Sequence, residues 1–346
     1  MGVGQALRWR QLLVPMLVGL GSALVAPAAG ASPDAAAQTA PVVGALLTTT
    51  YGSVLVATGP SVLAGAPLYM FSGDADGKFG CTIRLVPSAF DIGSGSYHAF
   101  TCTGPESDFG SSETDDWPAL TTTGAPLAGP GVNQKLLGTV NRPGIGHQVT
   151  YGGHPLYLFD PASSPFNPAG EDYPETVLPL PPWHGIWYLV SSHTGQPAPG
   201  PATIETELLP NGKTALAAQE NPNGGQAHAI TVYSFSRDHA GASACTGACA
   251  ATWMPVLTTG KPLVSGMSQG GPPGPATIAA KDLGVIRRPD GTSQVTYNGK
   301  PLYLYSAERI YKAGSLPGYS TPSGTAGNGN GLPGPGGGTF SAIYPG

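Results

Sequence analysis

The chain has 346 residues, enough for one large domain or two of ordinary size with a substantial apolar core. Only 10% of residues are charged, and 15 Lys and Arg stand against 20 Asp and Glu, so nucleic acid, which needs clustered cations, is excluded as a partner. Gly (52) and Pro (37) make up about a quarter of the chain, and with apolar segments recurring throughout they point to short strands separated by turns.

Residues 1–31 read as a secretory signal peptide. Arg8 and Arg10 precede an apolar run from Leu12 to Ala26, and small residues follow up to Ala29-Gly30-Ala31. The run is short for a membrane span and carries Pro15, and no later stretch is apolar enough to cross a bilayer. The first cysteine is Cys81, so a lipid-anchored N-terminal cysteine is not expected. The mature chain is expected outside the cell or held at the envelope by its surface, beginning with a flexible segment over 32–45.

A strand, a turn and a Tyr-x-aromatic strand then recur four times, over 52–74, 138–162, 214–238 and 284–308. The motif residues are Tyr69, Phe71 and Asp74; Tyr157 and Phe159; Tyr233, Phe235 and Asp238; and Tyr303, Tyr305 and Glu308. "QVTYGGHPLYLFDPA" at 148–162 and "QVTYNGKPLYLYSAE" at 294–308 are nearly the same phrase. Asn298-Gly299 and Gly152-Gly153 are two-residue hairpin turns, since both positions need positive φ. Counting outward pairs Tyr297 with Lys300 and Val295 with Leu302. That puts Val295, Leu302 and Leu304 on one strand face and Tyr303 and Tyr305 on the other, so both faces must be covered.

Two such units form a half. Trp117-Pro118 corresponds to Trp253-Met254-Pro255, and "GIWYLVS" at 185–191 to "GTFSAIY" at 338–344. The halves are expected over 46–192 and 203–346, joined by an exposed Gly/Pro linker at 193–202. Long Gly/Pro-rich stretches at 161–182 and 313–338 precede each closing strand and are expected to be functional or mobile. No helical periodicity appears beyond the signal. The expected fold is all-β: tandem duplicated hairpin repeats packed as sandwich-like or propeller-like sheets.

Chemistry is thinly represented. The motif rings, two residues apart, read as core, and the acids read as turn caps; the functional alternative is that Asp74, Asp238 and Glu308 line a ligand surface. Four cysteines in an exported chain imply two disulfides, with three possible connectivities. The alternative use of Cys245 and Cys249, with His239 and Met254 nearby, is copper binding or dithiol redox chemistry. Seven histidines at 98, 147, 154, 184, 193, 228 and 239 lack zinc-site spacing. Asp74-x-Asp76-Gly77 resembles the start of a calcium loop but continues with Lys78. "GMSQG" around Ser268 matches a nucleophile elbow, yet "GPPGPA" follows where a helix must start; "GNGLPG" at 329–334 lacks a βαβ context. Trp183, Trp187 and Tyr188 are packing residues, with Trp183 the best placed for surface contact. No cofactor and no catalytic constellation is read, so the expectation is a non-catalytic exported protein with an unknown extracellular or envelope partner.

"YMFSGD" at 69–74, "YSFSRD" at 233–238 and "CTGACAATWMP" at 245–255 resemble a bacterial family of secreted repeats of unknown function. Its members are described as predicted lipoproteins with a Tyr-x-(Phe/Trp/Tyr)-x-x-Asp motif. The resemblance runs from about residue 50 to the C-terminus in two copies and implies an exported, β-rich protein with no assigned activity. The chain departs from the motif at Ala162 and Glu308, and at Glu106, where the first half would carry its second cysteine. On that comparison the expected disulfides are Cys81 to Cys102 and Cys245 to Cys249.

Overall fold

A computed structural model describes residues 42–58, 64–74, 78–87, 97–103, 117–159, 166–174, 185–220, 228–239, 241–269, 278–308 and 326–345. They form one compact unit of short strands arranged in seven small sheets among the described residues. The fold is all-β, with one departure from the sequence reading: a five-residue α-helix, Ala248–Thr252. No helix among these residues is long and apolar enough to cross a membrane.

The two halves repeat the same plan. Each opens with an antiparallel pair, Val42–Thr48 with Gly52–Thr58 and Thr203–Leu208 with Thr214–Glu220, so 42–45, expected to be flexible, belong to the first strand because Val43 is drawn into the core. A third strand, Leu127–Ala128 or Leu263–Gln269, adds in parallel to the first of each pair. A 3-10 turn, Gln134–Leu136 or Ala280–Asp282, then leads into a second hairpin. In the second half this is Leu283–Arg287, Ser293–Tyr297 and Lys300–Pro301, with Tyr297 opposite Lys300. Its turn uses Asn298 and Gly299 at φ 48° and 77°, and its twin uses Gly152 and Gly153 at 60° and 89°. This is the left-handed pair that a two-residue hairpin demands.

The strand after the turn does not run unbroken to Tyr305, as the alternation suggests. Pro301 closes the hairpin, and after Leu302 the chain enters a different sheet as Tyr303–Tyr305. Proline has no N–H with which to extend the ladder, which suits the change of sheet at that point. Tyr303–Tyr305 pairs with Trp253–Pro255 on one side and Tyr233–Phe235 on the other, and Phe340–Ala342 closes that sheet. In the first half Tyr69–Phe71 pairs with Ile186–Leu189.

Alternation sorts the side chains into two environments. Leu68, Met70, Leu156, Leu158, Ile186, Val190, Val295, Leu302 and Leu304 enter one apolar core to which both halves contribute. The intervening Tyr69, Phe71, Tyr157, Phe159 and Trp187 form an aromatic cluster of the first half, and Tyr233, Phe235, Trp253, Tyr303 and Phe340 form its counterpart. Both faces of these strands are therefore covered, and each buried large apolar side chain contributes roughly 1.5–3 kcal/mol. Segment 193–202 is not an exposed linker. Gly195, Ala198, Pro199, Gly200 and Ala202 are buried. Ala198 donates its N–H to the Leu189 carbonyl (2.8 Å) in the first half, while Ala202 donates to Thr258 Oγ1 (3.0 Å) and Leu263 donates to the Ala202 carbonyl (2.8 Å) in the second, so the segment is stitched to both halves.

Candidate functional site

Each half closes around four piled rings. Phe71, Trp187, Trp117 and Phe159 follow one another at centroid separations of 4.5, 3.8 and 4.4 Å. Phe235, Phe340, Trp253 and Tyr305 do the same at 4.3, 3.7 and 4.6 Å. Two tyrosines stand edge-on to each pile: Tyr69 and Tyr157 in the first half, Tyr233 and Tyr303 in the second. Edge-to-face contact leaves each phenol hydroxyl projecting past the rings, where a buried O–H requires a partner.

The partners form a duplicated network. Tyr157 donates to Asp74 Oδ2 (2.6 Å) and accepts from Arg142 Nη1 (2.7 Å). The same Nη1 donates to Gln148 Oε1 (2.8 Å), Gln148 Nε2 donates to the Leu156 carbonyl (2.8 Å), and Arg142 Nη2 donates to the Cys81 carbonyl. In the second half Tyr303 donates to Asp238 Oδ2 (2.9 Å). Arg288 Nη1 donates to Gln294 Oε1 (2.7 Å) and Ser243 Oγ (2.9 Å), and its Nη2 donates to the Cys245 carbonyl (3.0 Å). Asp74 Oδ1 also accepts from Gly80 N–H (2.7 Å) and Asp238 Oδ1 from Ala244 N–H (2.8 Å), so each acid caps its own loop and holds a distant tyrosine.

Both arginines are buried, at 4% and 3% exposure, and sequence reading passed over them. Their signal was positional: each stands fifteen residues before its tyrosine, and Gln148 and Gln294 open the repeated phrase itself. Their charges are met differently. Arg288 pairs with Asp290 (3.3 Å), whereas Arg142 lies over the Phe79 ring, 4.4 Å from its centroid. Burial raises the Asp74 carboxyl, against the lowering effect of Tyr157, Gly80 N–H and Arg142. Burial and then the Asp74 charge raise Tyr157 well above the ordinary phenol value. The phenols therefore keep their protons and act as donors.

The other pair of tyrosines differs between halves. Tyr233 donates to Glu308 Oε2 and accepts from Gly329 N–H (3.2 Å). Tyr69 donates to the Asn167 carbonyl (3.3 Å) and accepts from Gly170 N–H (3.4 Å). Around Glu308 the second half gathers Glu207 and Glu205, whereas beside Tyr69 the first half places the buried Glu171, which accepts from Leu189 N–H. Thr231 donates its N–H to Glu308 (3.2 Å) and its hydroxyl to Glu207. Glu205, on the same strand, is fully buried with neither carboxyl oxygen hydrogen-bonded. Burial lifts Glu205 and Glu308 to about 7; burial, then the Glu308 charge, lifts Glu207 to about 8. Register makes Gly44 and Leu46 the first-half counterparts of these two glutamates. Opposite them stand Val56 and Val54 in the first half and the smaller Ala217 and Ala215 in the second.

A cleft of about 650 Å³ opens between the halves. Phe71, Asp74 and His154 line it from one side, and Met254, Arg288 and Asp290 from the other. Burial lowers the His154 imidazole, so it faces the cleft neutral near pH 7. Of the motif acids only Asp74 lines this cleft; Asp238 and Glu308 lie in the networks described above.

The structure pairs Cys81 with Cys102 and Cys245 with Cys249, and no cysteine is free. The equivalence between halves is not the one inferred from Cys102 and Glu106. Cys81 takes the place of Cys245, each seven residues after the capping aspartate and each offering its carbonyl to the buried arginine. Cys102 therefore matches Cys249, and the hairpin Ile83–Pro87 with Tyr97–Thr101 is inserted between the first-half cysteines. Glu106, Asp76, Gly77, Ala162 and Trp183 lie outside the described residues. Trp187 and Tyr188 are buried. Ser268 lies inside strand Leu263–Gln269 opposite Thr206, not on a strand-to-helix elbow. Gly329 of "GNGLPG" abuts Tyr233 and Trp253. Among the described residues no three His, Cys, Asp or Glu side chains are grouped to hold a metal ion.

Residues 284–307 match a protein family described as a secreted repeat of unknown function, in agreement with the resemblance read from the motifs. No curated protein and no solved structure matches the chain.

Proposed function

We propose that this is an exported, non-catalytic repeat protein whose sheets are scaffold and whose cleft between the halves receives an extracellular or envelope partner. The observation that carries this reading is the fate of the motif tyrosines. Tyr69, Tyr157, Tyr233 and Tyr303 are fully buried, and each hydroxyl is spent on a protein group. A reacting phenol or carboxylate needs access to substrate and a pKa near the working pH. These phenols have neither, and the aspartates bonded to Tyr157 and Tyr303 are also engaged by loop N–H groups. The match to secreted repeats at 284–307 supports export.

The test is expression of the full chain in a bacterium, followed by fractionation and labelling with a fluorophosphonate probe. The reading expects the protein in the envelope or medium, shortened by its first 31 residues and unlabelled. Retention in the cytoplasm, or a label on Ser268, would overturn it.

A further inference from the structure

The two disulfides stand in matching places but differ in access and in what they hold. Cys81 and Cys102 are 0% and 2% exposed inside the first aromatic cluster, and Cys245 is 0% exposed in the second. Cys249 alone is half-buried, on the helix Ala248–Thr252, between the exposed Ala248 and the half-buried Ala250. Thiol–disulfide exchange requires an attacking thiolate to reach one sulfur in line with the bond, so access selects both the bridge and the sulfur.

Attack at the accessible Cys249 makes Cys245 the leaving sulfur. Its Sγ lies 3.8 Å from the Trp253 carbonyl, an acceptor in place for the S–H that reduction creates. Its own carbonyl is held by Arg288 Nη2 at 3.0 Å, so the backbone stays anchored when the bridge opens. The cross-links also differ in span, 4 residues against 21. The shorter loop restricts the unfolded chain less, so its loss costs the fold less.

We propose that Cys245–Cys249 is a reversible thiol-exchange site, attacked at Cys249 by an external dithiol, while Cys81–Cys102 is a permanent structural link. A thiolate of the dithiol attacks Cys249 Sγ and forms a mixed disulfide. The Cys245–Cys249 bond breaks, and Cys245 leaves as a thiolate that takes a proton from solvent. The second thiol of the dithiol then attacks its own sulfur in the mixed disulfide and releases Cys249. The bridge gains two electrons and two protons, and the dithiol becomes a disulfide. The consequence falls on the cleft, because Gly247, Ala248, Ala250 and Ala251 form part of its wall and the bridge fixes them. Exchange at Cys249 therefore sets whether that wall is rigid. This goes beyond the scaffold reading and stands even if the partner of the cleft is never found.

The native, undenatured protein is treated with dithiothreitol in one arm and, in the other, with a thioredoxin-fold protein whose second active cysteine is serine. Both are quenched with iodoacetamide and mapped by mass spectrometry. The first arm is expected to alkylate Cys245 and Cys249 at least tenfold faster than Cys81 and Cys102, and oxidised glutathione is expected to restore the bridge. A protein trapped on Cys249 in the second arm identifies a protein dithiol as the reductant, and opening by dithiothreitol alone identifies a small thiol. Equal rates at the two bridges, first opening at Cys81–Cys102, or opening only in denaturant overturns the proposal.

Discussion

Tyr157 donates a hydrogen bond to Asp74, 83 residues earlier, and Tyr303 donates one to Asp238, 65 residues earlier. In both halves the acid of one hairpin unit secures the tyrosine of the next. In the second half the debt is returned, since Glu308 of the later unit holds Tyr233 of the earlier one.

Replacing Tyr157 with Phe removes an acceptor of Arg142 Nη1 and the donor to Asp74 Oδ2, both in buried surroundings. Such groups cost about 1–3 kcal/mol when left unpaired. Tyr303→Phe is expected to cost less, about 1 kcal/mol, because Arg288 keeps Gln294 and Ser243 as partners of the same nitrogen. Urea unfolding of the two variants ranks them; equal losses would show that the second acceptor of Arg288 is irrelevant.

A Cβ on Gly170 would stand 2.5 Å from Trp117 Cη2. Trp117 cannot retreat, being stacked on Trp187 at 3.8 Å. Gly170→Ala is therefore expected to destabilise by about 1–3 kcal/mol through overpacking, whereas Gly124→Ala, with nothing within 4 Å of its Cβ, is expected to be nearly neutral. Thermal melts of the pair provide the measurement.

Glu205, Glu207 and Glu308 have folded pKa values raised to about 7, 8 and 7. A carboxyl raised by folding binds its proton more tightly in the native state, so stability falls as pH rises from the unfolded value, about 4.3, towards those folded values. The melting temperature is expected to drop between pH 5 and pH 8, roughly, and to level off above. A Glu205→Gln variant should show a shallower slope; an unchanged or inverted slope in that window would exclude these groups as its source.

Exchanging the second-half pair Glu207 and Ala215 for the first-half Leu and Val tests the same pocket by packing. The double substitution Glu207→Leu with Ala215→Val replaces a buried carboxyl and a small neighbour by the combination found at Leu46 and Val54. A gain of about 1–3 kcal/mol at pH 8 is expected, and less at pH 5, where the native glutamates are neutral. Differential scanning calorimetry at both pH values distinguishes the two conditions.

Much of this was legible because a strand has a period of two. Val295, Leu302 and Leu304 against Tyr303 and Tyr305 separate into two faces on spacing alone, and Asn298-Gly299 fixes the register. Arg142 and Arg288 were not legible, because an isolated arginine near a hairpin turn ordinarily belongs to solvent; only the remote phenol and carbonyl acceptors bring it inside. The cysteine equivalence was obscured by the shared Cys-Thr-Gly at 102 and 245. An inserted hairpin had moved the true counterparts apart in sequence while leaving their carbonyls on the same guanidinium contact.

The reciprocity of acids and tyrosines bears on what evolution can move as a piece. A segment such as 284–307 carries Tyr303 but neither the aspartate that accepts its hydrogen bond nor the strand Phe340–Ala342 that closes its sheet. The span that recurs as a recognisable word is thus shorter than the smallest length able to stand alone. A single unit moved into another protein would arrive with its knots undone.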